Sequence, residues 1–317
     1  MTTVAEAFEL ARTHSIRHMA ACEKAKLRWS ETAITETVIA EAARAVNVVQ
    51  FTQHAEAKSG ADWIWWWVDG SSAYGMLVQA KRVKVTGNQW QFDFGYKIGS
   101  SDQLQQDALI ATAKELGILP VYSLYLGSGD YRRWTPCSDS HQNVDCLACQ
   151  KRSISLMPAL LANNLLVNNA SSTYERSVAL EDLWRPPAEP ALLSPLLQDQ
   201  LAPDLSKFLE TPQHGTRAVT RKMLDRVLRA RAGAFSAPSP TSPTIELGEH
   251  ERLGPVFKEV PGDTGHFGLP YFEHTLRPLR LVPPSYVLEI MTNEFNEKRM
   301  PRHLPARIAG VVVTWLS

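Results

Sequence analysis

The chain has 317 residues, 44% of them hydrophobic and 21% charged, which is an ordinary globular composition with length for one large core or two modest ones. Lysine plus arginine equals aspartate plus glutamate at 33 each, so any phosphate binding has to come from a local cationic patch rather than from overall charge. No apolar run reaches the roughly eighteen residues of a membrane helix, and the N-terminal segment carries Glu6, Glu9, Arg12, Arg17 and Glu23 without an apolar centre, so a cytoplasmic location with no membrane partner is expected.

In chain order, residues 1–30 read as one or two helices. Ser30 then opens a helical pattern reaching about Val46, with Ile34, Val38, Ile39, Ala42 and Val46 as its apolar stripe. Strands are expected at 48–52 and 62–68, the second apolar on both faces through Trp63, Ile64, Trp65, Trp66 and Trp67. The Trp residues suit core packing, with base stacking as the functional alternative. Asp69-Gly70-Ser71-Ser72 is a hairpin-like turn into a strand at 75–85, and a short strand is expected at 91–96. A helix at 101–116 stops at Gly117, a strand follows at 119–126, and a helix is expected at 156–166. This order predicts an α/β fold whose mixed sheet is flanked by helices. Residues 1–170 are expected to form the core, with a cysteine-containing loop at 137–149. Residues 171–317 read as a helical and irregular C-terminal region, with helices near 194–201 and 215–232, a flexible stretch at 236–244 and a last strand at 308–315 that can rejoin the sheet.

Chemistry concentrates around Asp62 and the run Val78-Gln79-Ala80-Lys81-Arg82. Gln79 and Lys81 lie two apart on a strand and so point to one face, while Val78 and Ala80 point to the other. Asp62, at the head of the neighbouring strand, and the Gln79 carbonyl offer the hard oxygen ligands that Mg²⁺ or Mn²⁺ prefers. Lys81 then stabilises an attacking hydroxide or the charge developing on phosphorus. A helix carboxylate completes the set, with Glu36 and Glu41 as candidates. Arg82 and Lys84 form a cationic group beside it. Gln105 and Asp107 diverge by about 200° on their helix, so one of them faces the site; Gln105 is expected to hold the sheet or contact nucleic acid.

These residues resemble the PD-(D/E)xK, or restriction-endonuclease-like, superfamily, and most closely its Mrr-like branch. That branch carries a helix Glu, then Gly-x-Asp, then Val-Gln-x-Lys-Arg; here these are Glu36, Gly60-Ala61-Asp62 and Val78 to Arg82. The separation of Glu36 from Asp62 fits that branch better than that of Glu41. The chain is also similar to a bacterial family without an assigned activity, through Glu31-Thr32, Thr35-Glu36, Gly60-Ala61-Asp62-Trp63, Val78-Gln79-Ala80-Lys81-Arg82 and Leu104-Gln105-Gln106-Asp107-Ala108-Leu109. The resemblance covers residues 28–126 well and continues weakly beyond. It implies a three-layer nuclease core with a Mg²⁺-dependent site and DNA as substrate in a restriction or defence role, acting as a homodimer or with a defence-system partner. Because Gln79 replaces an acid, it also leaves room for a non-catalytic nucleic-acid-binding or sensor module.

Two further groups stand out. Cys137-x3-His141-x4-Cys146-x2-Cys149 offers four ligands for a structural zinc in a loop with little core of its own; the alternative is a loop of ordinary thiols. Residues 215–232 carry Arg217, Arg221, Lys222, Arg226, Arg229 and Arg231 around the apolar stripe Val219, Met223 and Val227. A solvated amphipathic helix is the expectation, with phosphate binding as the alternative.

Overall fold

Thr3 and Ser30 each start a helix by accepting backbone N–H groups that would otherwise lack partners. Thr3 closes a capping box with Glu6 ahead of α1 (Val4–Lys24), and the Ser30 hydroxyl accepts from Ala33 N–H at 3.1 Å ahead of α2 (Glu31–Ala42). The computed structural model describes residues 2–50, 63–86, 89–97, 104–127, 146–164, 170–186, 201–231, 245–246, 254–262, 270–292 and 308–316. After α2 come β1 (Asn47–Gln50), β2 (Trp63–Val68), β3 (Ala73–Arg82), β4 (Lys84–Thr86), β5 (Gln89–Gln91), α3 (Gln105–Leu116) and β6 (Leu119–Tyr125). Next are α4 (Leu147–Lys151), β7 (Ile154–Pro158), α5 (Ala170–Glu175), β8 (Val178–Ala179), α6 (Pro203–Glu210) and α7 (Gly215–Arg231). The described chain ends with β9 (Ile245–Glu246), β10 (Glu259–Val260), α8 (Tyr271–Leu276), β11 (Leu279–Arg280), α9 (Ser285–Met291) and β12 (Gly310–Trp315).

The fold is mixed α/β. Its main sheet has the order β1-β12-β2-β3-β6-β7-β8, with β11 added beside the first residues of β3. The pairs β12–β2 and β3–β6 are parallel and the remaining ones antiparallel. The C-terminal strand β12 lies inside the sheet, between β1 and β2, and β8 and β11 also come from residues beyond 171. The two halves of the sequence therefore build one sheet. Among the described residues no helix is long and apolar enough to cross a membrane.

Alternation along β2 explains the tryptophan run. Trp65 and Trp67 turn to one face, where Phe8 of α1 lies 6.2 and 6.0 Å from their rings. Trp66 turns to the other, where its indole N–H donates to the Tyr286 hydroxyl of α9 at 2.9 Å. All four of Trp63, Trp65, Trp66 and Trp67 are buried, which is the core role. Gly75 pairs with Trp66, and a Cβ at that position would stand 2.5 Å from Ile118 and 2.7 Å from the indole, so the strand needs glycine there. Helices cover both faces: α2 reaches β6 through Thr35 Oγ1 and the Tyr125 hydroxyl, 2.8 Å apart, and α3 reaches β3 through Gln105 and Lys81 on the opposite face.

Three expectations are corrected. The apolar run near 156–166 is β7 followed by a 3-10 turn, Ala159–Asn164, not a helix. Its periodicity fits either state, and pairing with β6 decides it. Residues 92–96 are not strand: Phe92 and Phe94 are buried and stack at 6.1 Å, and Asp93 Oδ1 accepts Gly95 N–H at 3.2 Å to form a turn. The basic helix α7 is solvated over only part of its cationic surface: Arg229 is exposed and pairs with Asp225 one turn away, whereas three other cations turn to backbone carbonyls. Arg221 is buried and donates to Thr211 O, Lys222 donates to Asp182 O, and Arg226 donates to Glu175 O at 3.2 Å. Burial lowers the Lys222 amine to about 8. The expected helix at 194–201 and flexible stretch at 236–244 lie outside the described residues, apart from the end at Leu201.

Candidate active site

Strand β3 ends in a cleft of about 190 Å³ lined by Glu31, Lys81, Arg82, Lys84, Asp93, Tyr96 and Gln105. The register explains the convergence. Gln79, Lys81 and their β6 partners Tyr122 and Leu124 share one face, and α3 lies over that face. Lys81 is 7% exposed, and its Nζ donates to Gln105 Oε1 at 2.8 Å. A lysine held this far from water stays charged only with oxygen acceptors around it. Gln79 is fully buried two residues earlier. Tyr122, opposite Gln79, has its phenol pushed well above the usual range by burial, with the charge of Asp107 adding to the effect.

On the other side of the strand, Arg82 fixes the helix that supplies a carboxylate. Its main-chain N–H donates to Glu31 Oε1 at 2.9 Å, and its guanidinium donates to Trp29 O at 2.6 Å while lying 5.9 Å from the Trp29 ring. Lys84 Nζ pairs with Asp93 Oδ2 at 3.2 Å. Among the described residues the cleft thus carries three cations and two carboxylates.

The helix acid in this cleft is Glu31. Glu36 is exposed on α2 and does not line it, and Glu41 bonds His14 Nδ1 at 2.6 Å and Arg44 at 3.0 Å. The reason lies in helical geometry. Residues 31, 35, 38 and 42 fall on one line of the helix, and Thr35, Val38 and Ala42 are buried along it. Glu36 is rotated about 140° from Glu31. The separation from Asp62 favours Glu36, whereas Glu31, which heads the same Glu-Thr-x-x-Thr-Glu motif, is the acid that continues the buried line. Asp93 and Tyr96 carried no sequence signal. Asp107 is exposed and only Gln105 reaches the cleft, as their divergence requires.

Asp62 lies outside the described residues; its covalent neighbour Trp63 pairs with Val78, adjacent to Gln79. Cys137 and His141 also lie outside them. Cys146 stands at the N-terminal end of α4 with Cys149, which is buried, one turn later, so the two thiols of the Cys-x2-Cys half-site share a helix face. No group of three or more His, Cys, Asp or Glu side chains that could hold a metal occurs among the described residues. Among the described residues the cleft lining suits a hard cation: the Glu31 carboxylate is held in place by Arg82, Asp93 adds a second carboxylate, and neither sulfur nor imidazole is present, while Gln79 is buried behind Lys81 on the same strand face and does not itself line the cleft.

No curated protein and no solved structure matches the chain. A family model does match residues 4–306, nearly the whole sequence, and the chain belongs to that family, which is described as a family of unknown function (DUF6615).

Proposed function

We propose that this protein is a metal-dependent nuclease that hydrolyses phosphodiester bonds of DNA. The observation that carries the reading is the buried Lys81 ammonium, 2.8 Å from Gln105 and two residues from Gln79 on one strand face, in a cleft that also holds the Glu31 carboxylate. A lysine beside oxygen donors in a concave site matches the needs of phosphoryl transfer, where charge accumulates on phosphate oxygens. Glu31, Gln79 and Asp62 would hold Mg²⁺ or Mn²⁺, which supplies Lewis acidity at a phosphoryl oxygen. Lys81 directs its ammonium at the same developing charge, and Gln105 fixes where that ammonium points. Arg82 keeps Glu31 in place, and Lys84 adds positive potential for the phosphate backbone. Restriction of foreign DNA in a bacterium is the proposed setting, on the strength of the motif resemblance. The Cys137, His141, Cys146 and Cys149 group is proposed as a separate structural zinc site, which one tightly held zinc per chain would support.

The test is incubation of the purified protein with single-stranded and duplex DNA, with and without Mg²⁺ or Mn²⁺. Cleavage that requires metal and disappears in Asp62→Asn supports the reading, and the absence of cleavage under every condition rejects it. One observation favours a second reading. Glu31 and Asp93, the described carboxylates of the cleft, are both engaged, by Arg82 and by Lys84. A module that binds DNA without cutting it needs no more than the cations, and it would give salt-dependent binding with no product.

A further inference from the structure

We infer that Tyr96 is a stacking platform for an unpaired base, so that the cleft takes single-stranded DNA in preference to a closed duplex. The inference rests on the reading of this cleft as a phosphodiester site and names its substrate form. Tyr96 is 60% exposed and lines the same cleft as Lys81, Arg82 and Lys84. The other aromatic residues of this region behave differently. Phe92 and Phe94 are buried, and Phe94 packs 4.6 Å from the Tyr122 ring. A buried, uncapped ring gains from the core, whereas an exposed one beside three cations gains little until a flat apolar ligand covers it.

The backbone presents the ring deliberately. Residues 92 and 94 point inward, and continued alternation would bury position 96 as well. The turn closed by Asp93 Oδ1 and Gly95 N–H breaks that alternation. Tyr96 is then fastened: its carbonyl accepts the Gln105 main-chain N–H at 2.8 Å, and the next residue, Lys97, forms a β-bridge with Leu104. The residue that receives the Lys81 ammonium therefore also holds the backbone of Tyr96. A ring and a set of phosphate-binding cations, tied to one another, form the pair of contacts that a nucleotide strand offers, base face and phosphate. In a duplex both faces of each base are covered by neighbours, and only an unpaired or terminal base can lie on a protein ring. Among the described residues Glu31 and Asp93 offset two of the cleft's three positive charges, so stacking adds to phosphate contacts that are themselves reduced.

Fluorescence anisotropy tests this with wild type, Tyr96→Ala and Tyr96→Phe, using a labelled single-stranded DNA carrying one 2-aminopurine and a hairpin of the same strand whose loop and open end are both closed by non-nucleotide linkers, so that it offers no unpaired or uncovered terminal base. Ca²⁺ replaces Mg²⁺, and a gel verifies that the DNA is intact. Tyr96→Ala is expected to weaken single-strand binding roughly ten-fold or more and to abolish 2-aminopurine quenching. Tyr96→Phe keeps both, and hairpin binding is weaker than single-strand binding and indifferent to Tyr96. The inference is overturned if Tyr96→Ala binds the single strand like wild type, if Tyr96→Phe loses as much as Tyr96→Ala, or if the hairpin binds better. Cleavage is scored separately with Mg²⁺. Tyr96-dependent binding without cleavage removes the nuclease reading alone, and cleavage with binding indifferent to Tyr96 removes the stacking alone.

Discussion

The Lys81 ammonium and the Gln105 side chain meet at 2.8 Å, joining the end of β3 to the first turn of α3. Gln105 is a positioning residue in this account, because it acts through Lys81. Gln105→Ala removes the acceptor and lets the ammonium wander. The expected result is a fall in kcat of roughly ten- to a hundred-fold, the range seen when the partner orienting a reacting group is lost, with KM nearly unchanged. Gln105→Glu retains an acceptor and restores part of the rate. Steady-state kinetics on a DNA oligonucleotide separates the cases: a change confined to KM would mean that Gln105 contacts substrate instead.

Glu31 and Glu36 make opposite predictions. Glu31→Gln keeps an oxygen for the Arg82 N–H, so the fold is expected to survive, but the cleft loses a charge. The Mg²⁺ concentration for half-maximal cleavage should rise roughly ten-fold or more, whereas Glu36→Gln, on the exposed side of α2, should behave as wild type. A Mg²⁺ titration of both variants checks this, and the reverse ranking would return the metal site to Glu36.

Arg12 of α1 is buried against the Glu181 carboxylate, and its guanidinium also donates to Gln150 at 3.0 Å. Burial raises the Glu181 pKa, with Arg12 opposing that rise. Removing one partner of such a pair strands a charge away from water, so Arg12→Ala is expected to cost about 3–5 kcal/mol. The double variant Arg12→Met with Glu181→Leu should recover most of it. Urea denaturation measures both, and additive losses would show that the pair is not coupled.

Asp69 links the β2–β3 turn to the start of α7. Its Oδ2 accepts Thr216 N–H at 2.9 Å and the Thr216 hydroxyl at 2.7 Å, and its Oδ1 accepts Ser71 N–H at 2.8 Å. Gly215, at φ 56°, makes room, because a Cβ there would collide with the carboxylate. Burial by itself would raise the Asp69 pKa, but the bonds from Thr216 and Ser71 outweigh it and the net shift is downward. A folded pKa below the unfolded one means that the unfolded chain binds the proton more tightly. The contribution is therefore complete above the unfolded value near ~3.9 and is lost as pH falls through the lower, folded pKa. Asp69→Ala is expected to lower stability by about 1–2 kcal/mol at pH 7, and the gap to wild type should close in strong acid. Urea midpoints at neutral and acid pH test it, and a gap that widens in acid would contradict it.

Much of the sheet was legible in the sequence because its strands advertise themselves. The Trp run of β2 and the Val- and Tyr-bearing β6 are aromatic or β-branched and bounded by the turn signals Asp69-Gly70 and Gly117, which marks them as strands. β7 was not legible, since a short apolar run fits helix and strand equally until pairing with β6 decides. At the site, the two-residue spacing of Gln79 and Lys81 carried over directly, because strand geometry fixes their common face. Spacing from Asp62 does not single out Glu31, and only the helix's buried line places it at the cleft. Tyr96 was invisible because its exposure comes from a turn and from a bond to Gln105, neither of which leaves a pattern. The cations of α7 misled for a related reason. Charge on a helix suggests solvent, whereas Lys222 and Arg226 reach backbone carbonyls of Asp182 and Glu175.

The central claim is that Lys81 serves phosphodiester hydrolysis in a metal-dependent site. The most direct measurement is the single-turnover cleavage rate of end-labelled DNA with saturating Mg²⁺ by wild type and Lys81→Met, with folding verified by circular dichroism. The account predicts metal-dependent cleavage by wild type and a loss of at least about a hundred-fold in Lys81→Met, as expected when a stabiliser of transition-state charge is removed. Cleavage by Lys81→Met at the wild-type rate, or none by wild type, would contradict it.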